Sequence, residues 1–416
     1  MSYRYSEVAG AVGHRLSEMG DHERAGDLLA EVSQFKSAID CYIRAKAWTK
    51  AKSLADGPAK QFADYVQAAH TRAIVKRGGA SGSELSAAVS GAGGTAGAEQ
   101  ALEELSAAGR WQEVLELAAK TGESQLNRHG ARFLRNAVSS EEPSEAGKAV
   151  LLMSRFGAPA VASESDSYQR LLRLVLGGTK SEHPGDDAIL ALREVLYSVV
   201  SRLRKPGTDA ADDPRAMARM DRLLLCSHYA AMRVSAIRQG LKDVALQLSI
   251  ALLRYCDLVP PDRAYFEAAE LAKEQGKSGL GFVLTNRLLD IFEAIDDQDI
   301  SMITNDEFED TDLPPPSTFR LPRRRYLSKA EEEKLRNWAL QGSMRDDSAL
   351  TLQPGDIPGK EQSGWQKCVA SGLPVAAKDM VRCSACESQA VRSAWNAVVS
   401  VRKACPWCGA AQTPYY

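Results

Sequence analysis

Residues 20–55 read GDHERAGDLLAEVSQFKSAIDCYIRAKAWTKAKSLA, and the stretch repeats itself. Ala25, Ala38 and Ala51 lie 13 positions apart; Leu29, Tyr42 and Ala55 keep that step, and so do Phe35 and Trp48. The unit is a helix of about two to three turns plus a tight bend, in which the small alanine lets the next helix approach and the aromatic fills the gap between neighbours. Such a helix cannot bury its apolar stripe alone. Stacked neighbours must do so, and the period therefore predicts an all-α chain built as an α-solenoid of antiparallel helix pairs. An irregular helical bundle shares the same i, i+3, i+4 spacing. The phrase returns at 109–120 as GRWQEVLELAAK, with Trp111, Val114 and Leu117 in the slots of Trp48, Ala51 and Leu54.

The first block of repeats occupies residues 1–77. Residues 78–100 hold seven glycines and few apolar side chains, so they read as a flexible Gly/Ala/Ser insertion. Helical repeats resume over 101–296. Segments 144–175 and 186–204 have helical spacing, Lys205 to Pro214 is a loop, and long helices follow, split at Gly240. Cys226 and His228, two positions apart, face different sides of their helix and read as a core pair rather than a ligand pair. Pro261 suits a first helical turn and Gly276 a stop. The GKS at 276–278 lacks the earlier glycine of a phosphate loop.

Residues 297–327 change character, with five acids between Asp306 and Asp312, then three prolines, then Arg323, Arg324 and Arg325. This is an extended connector. It reads either as a solvated linker or as a strap whose Phe308, Leu313, Phe319 and Leu321 pack along the helices. Ser328 then caps a linker helix over 328–345, with Leu335 and Trp338 on one face.

At 416 residues the chain has room for two or three domains, and its net charge of −2 lacks the footprint of a general nucleic-acid binder. Proteins are the expected partners. No apolar run approaches the roughly 18 residues of a membrane span, so no membrane insertion is expected. No secretory segment opens the chain, and Cys41, Cys226 and Cys256 stand alone, which points to a reducing, cytoplasmic setting.

The last segment, 360–416, carries two Cys-x-x-Cys pairs. Cys383, Cys386, Cys405 and Cys408 have the spacing of a tetrathiolate zinc site, in which each pair sits on a tight turn that aims two sulfurs at one point. Four thiolates leave no position for water, so one structural Zn²⁺ is expected rather than a catalytic one. Two redox-active pairs are the competing reading. Val391, Ala394, Trp395, Val398 and Val399 trace one helical face between the pairs. Upstream, Cys368, Ser371, Gly372 and Pro374 resemble the first loop of a RING-type fold whose metal site has been replaced, as in the U-box; a plain zinc ribbon is the alternative.

The strings PPDRAYFEAAELAKEQG, LTNRLLDIFEAIDD, NDEFEDTDLP and CVASGLPV resemble the C-terminal part of the intraflagellar transport protein 172 family, the largest peripheral subunit of the IFT-B complex. That resemblance implies a non-catalytic, tetratricopeptide-like scaffold in the cilium, flagellum and basal body, with surfaces for other IFT-B subunits and the IFT-A complex. It also implies a U-box/RING-like tail. U-box relatives engage ubiquitin-conjugating enzymes through apolar loop residues, and those slots fall here on Val369, Leu373, Pro374, Pro406 and Trp407. The GAAQTPYY that follows Cys408 offers no Arg or Lys to polarise a thioester-linked ubiquitin. Binding of ubiquitin or a conjugating enzyme is accordingly expected, with E3 ubiquitin ligation as the alternative. Nucleic-acid binding by the Arg323 cluster is disfavoured because no basic-aromatic stripe accompanies it.

Overall fold

A computed structural model describes residues 3–77, 95–206, 213–344 and 350–415. The chain divides into two compact units, Met1–Phe133 and Leu134–Tyr416. Among the described residues there are 17 α-helices and one two-stranded sheet.

In the first unit the 13-residue step is visible twice over. Ala25, Ala38 and Ala51 are fully buried on helices His22–Glu31, Phe35–Ala45 and Trp48–Asp56, and consecutive helices pack on one another. The bends carry the same period. Gly20, Ser33 and Lys46 each adopt a left-handed conformation, and the residues after them, Asp21, Gln34 and Ala47, share φ between −83° and −81° and ψ between 61° and 67°. The N–H of each of these cap residues returns to the carbonyl five positions back, on Leu16, Leu29 and Tyr42, at 2.9–3.0 Å. This closure satisfies the orphan carbonyls of the preceding helix. The same bend recurs at Gly109–Arg110 and, in the second unit, at Gly240–Leu241 and Gly276–Lys277.

Trp48 and Trp111 open equivalent helices, and each packs against a ring 22 positions further on: His70 at 4.8 Å and Phe133 at 5.6 Å. Both tryptophans are half-buried, so they seal the seam between helices rather than sit in the core. Of the glycine-rich insertion expected at 78–100, residues 78–94 lie outside the described residues. Residues 95–100 belong to helix Thr95–Ala107, because Ala98, Ala101, Leu102 and Leu105 make a buried stripe that begins inside the expected insertion.

The second unit contains helices Pro143–Phe156, Ser165–Val175, Asp186–Leu203, Pro214–Arg238, Lys242–Leu252, Pro261–Glu274 and Ser278–Asp297. Helical spacing over 144–175 is interrupted at Gly157, whose φ of 107° and following Pro159 end the first helix. The connector is a strap. Phe308, Leu313 and Phe319 are buried and Leu321 half-buried, and the Phe308 and Phe319 rings lie 6.1 Å and 6.0 Å from the buried Tyr265. Its far end is pinned where the Tyr326 N–H donates to the buried Asp262 carboxylate at 2.6 Å.

Helix Lys329–Ser343 opens with a capping box between Ser328 and Glu331. It is no free-standing linker. Leu335 and Ala339 are buried, and Lys273 Nζ lies 4.1 Å from the Trp338 ring centre. The tail is a ββα module: strand β1 (Met380–Arg382) pairs antiparallel with β2 (Gln389–Val391), and helix Arg392–Arg402 follows. Ala394, Trp395, Val398 and Val399 are buried, as their spacing predicts, while Val391 is half-buried.

Candidate metal centre and the seat of the tail

Three turns of the tail share one backbone pattern. At Cys383 the carbonyl accepts from the Glu387 N–H (3.0 Å) and the N–H donates to the Ser388 carbonyl (3.0 Å). At Cys405 the partners are Gly409 (3.0 Å) and Ala410 (2.8 Å), and at Cys368 they are Gly372 (2.8 Å) and Leu373 (2.7 Å). The closing residues Glu387, Gly409 and Gly372 all have positive φ. In each turn the N–H two residues after the leading cysteine donates to its sulfur: Ala385 and Trp407 at 3.4 Å, Ala370 at 3.3 Å.

Two of the turns converge. Sγ atoms of Cys383, Cys386, Cys405 and Cys408 all lie within 4.8 Å of one another, with Cys383 to Cys408 at 3.8 Å and Cys386 to Cys405 at 3.9 Å. Sulfurs at about 2.3 Å from a tetrahedral ion would be about 3.8 Å apart, so the set fits a four-sulfur metal cage. Burial alone would push the Cys383 thiol up, but the N–H groups of Ala385 and Cys386 outweigh it and hold it at about 7. Burial pushes the Cys408 thiol up to about 12. A metal would displace the remaining protons, and binding would release them.

The third turn serves a different purpose. The sulfur of Cys368 accepts from the Val391 N–H at 3.2 Å, Ser371 takes the second-cysteine position, and both are fully buried. Hydrogen bonds inside the tail close this loop.

Of the residues expected to meet an external partner, Val369, Pro406 and Trp407 lie against the helices of the same unit. Val369 and Pro406 are buried; Leu373, Pro374 and Trp407 are half-buried. The Val369 carbonyl lies 2.7 Å from His228 Nε2, and the Trp407 ring sits 4.8 Å from the His228 ring and 6.1 Å from Tyr197. Arg193 stacks 4.6 Å over Tyr197 and donates to the Trp407 carbonyl. At Gly372 a Cβ would come within 2.3 Å of the Ala251 Cβ, so only glycine admits this approach.

A buried ion pair completes the seat. Arg254 forks onto Asp312 with two bonds of 2.9 Å, Lys367 reaches the same carboxylate at 2.9 Å, and Arg254 also approaches the Gly372 carbonyl at 3.3 Å. The Asp312 side chain is fully enclosed. Helix, strap and tail thus meet on one carboxylate.

Nothing local in the sequence marks Arg193, Arg254 or Asp312, since their partners lie far along the chain. His228 and Cys226 both lie in the core, as their place in an apolar helix predicts, and burial pushes the Cys226 thiol well up. The one available signal was a histidine inside an apolar helix. Burial holds it down at about 3, so it stays neutral and can donate to Val369.

No protein-family model matches the chain. It is 29% identical to intraflagellar transport protein 172 of Chlamydomonas reinhardtii, a match that covers all of the chain and 24% of that protein. It is 31% identical to the Mus musculus homolog and 26% identical to intraflagellar transport protein osm-1 of Caenorhabditis elegans, each over 89% of the chain and 21% of the relative. The chain spans less than a quarter of the length of these curated relatives. Among the described residues no helix is long and apolar enough to cross a membrane.

Proposed function

We infer that this chain, homologous along its length to part of intraflagellar transport protein 172, is a non-catalytic scaffold segment of the intraflagellar transport train in the cilium or flagellum. Its helix surfaces serve other IFT-B subunits and the IFT-A complex. The observation that carries this reading is the similarity running through both helical units and the tail to relatives named for that transport. Exchanging the corresponding segment of a ciliated cell's resident protein for this chain should preserve cilium length and traffic. Short cilia, with the exchanged protein present at normal level, would reject the reading.

Zinc is the ion assigned to the four sulfurs, in a purely structural role, because the thiolate set is soft and fills a tetrahedron. Metal analysis of the purified chain should find one zinc per molecule. A metal-free preparation with an unchanged tail would overturn the assignment.

A second reading is binding of ubiquitin or a ubiquitin-conjugating enzyme by Val369, Leu373, Pro374, Pro406 and Trp407. The ββα order and the three matching turns favour it, in the manner of a RING-type module with one metal site replaced by hydrogen bonds. Val369, Pro406 and Trp407 are engaged with the helices, so the reading requires the tail to leave its seat. Ubiquitin titrated into the chain should shift few resonances, and more when Arg193→Ala loosens the seat; an absence of shifts in both rejects binding. Ligation is tested with a panel of conjugating enzymes against the Cys405→Ser control, and no product above that control removes it.

A further inference from the structure

Helix Ser165–Val175 and the end of the strap border a groove of about 760 Å³ that the transport reading does not use. Its lining includes Arg170, Arg173, Arg320 and Arg323 against two acids, Glu141 and Asp166. Both acids are already engaged: Asp166 pairs with Arg219, and Glu141 lies 3.7 Å from Arg323. Arg170, Arg173 and Arg320 have no carboxylate partner among the described residues. Among the described residues, the side-chain bond of these three runs from Arg173 Nε to the Asp257 carbonyl at 3.2 Å. Three guanidiniums on a concave surface with no carboxylate of their own are an unusual use of a residue that pairs readily with carboxylates. Burial and then the nearby Arg320 depress the Arg173 pKa against the opposing charge of Asp257.

Between the arginines the wall is apolar, made by Val138, Leu174 and Leu321. The chain shows elsewhere what such a combination holds. In the strap, Phe308 lies under the Arg287 guanidinium at 4.7 Å and Asp312 is forked by Arg254, so an extended acidic segment with spaced apolar side chains is bound by arginines and helices. A duplex nucleic acid would need a longer cationic track than this short groove offers, on a chain whose net charge is −2. We propose that the groove is a docking site for an acidic, extended segment of a partner protein, whose carboxylates meet Arg170, Arg173 and Arg320 while an apolar side chain rests on Leu174 and Leu321.

The probe is a fluorescent peptide NDEFEDTDLP, the strap sequence 305–314, titrated into the full chain at about 50 mM salt and again at higher salt. Binding should saturate, weaken with salt, and fall by about tenfold or more in Arg170→Glu/Arg320→Glu, since two charge-assisted contacts are lost. Arg170 and Arg320 are exposed, so melting should be unchanged. If the double variant melts early, Arg170→Gln/Arg320→Gln replaces it, with a loss of about threefold or more expected. Absent binding overturns the proposal. Binding that both variants leave intact also overturns it, because the peptide would then be exchanging with the chain's own strap. Stronger, arginine-dependent binding of phosphatidylserine vesicles or of duplex DNA than of the peptide would likewise overturn it.

Discussion

The turn at Cys368 and the turns at Cys383 and Cys405 have the same backbone, yet their sulfurs meet different partners. In the first, the sulfur accepts an N–H from Val391 and the loop is pressed onto helix residues Tyr229 and Ala251. In the other two, four sulfurs converge to distances that suit an ion. A turn of this shape can therefore close around sulfurs spaced for an ion, or by a hydrogen bond within the tail backed by packing on the helices. Where hydrogen bonds replace the ion, the loop depends on its seat.

The largest test of that contrast is Cys405→Ser, which should abolish metal binding and expose the amides of helix Arg392–Arg402 to exchange, because an ion held by the four sulfurs would supply folding energy that so small a core lacks. Retained protection would dissolve the distinction between the turns. Next in size, Asp312→Ala should lower stability by about 3–5 kcal/mol in denaturant unfolding, since it strands Arg254 and Lys367 without a counter-charge. The metal content should stay the same.

Acid should also loosen the seat. The folded value of His228, about 3, lies below its ordinary 6.5, so its contribution is present above pH 6.5 and is lost as the pH falls toward 3. Arg193 and Arg402, the cations nearest it, oppose its protonation as well. Between pH 6.5 and 5 the loss should be about 2 kcal/mol, and it should vanish in His228→Gln. A pH profile identical in the variant would remove the histidine from the account.

Smaller again, Cys368→Ala should cost about 1–3 kcal/mol by leaving the Val391 N–H without its acceptor, with metal content unchanged. Loss of metal in this variant would mean that the three turns are not independent. The smallest effect is a gain. Lys46→Gly, at a φ of 58°, should raise the melting stability by about 0.5–1 kcal/mol by relieving a left-handed lysine.

The two regions were unequally legible from the chain alone. The alanine step and the cysteine spacing are local signals, and the structure places Ala25, Ala38 and Ala51 in the core and the four sulfurs together. Strap residues Phe308, Leu313 and Phe319 could be singled out as apolar but not assigned a resting place, because their partner Tyr265 belongs to a distant helix. Asp312 is one acid among five in its stretch; only the fold distinguishes the enclosed one. Trp48 has the residue type of a core anchor, but its position at the first turn of its helix leaves one side of the ring open.

The bends at Gly20, Ser33 and Lys46 fix the length quantum of the helical part. Each closes on the turn before it, so chain can be gained or lost in whole 13-residue steps without turning any apolar stripe away from its neighbour. A single-residue insertion inside one of these helices would swing everything beyond it by about 100°. Length variation here should therefore come as intact helix-and-bend cassettes.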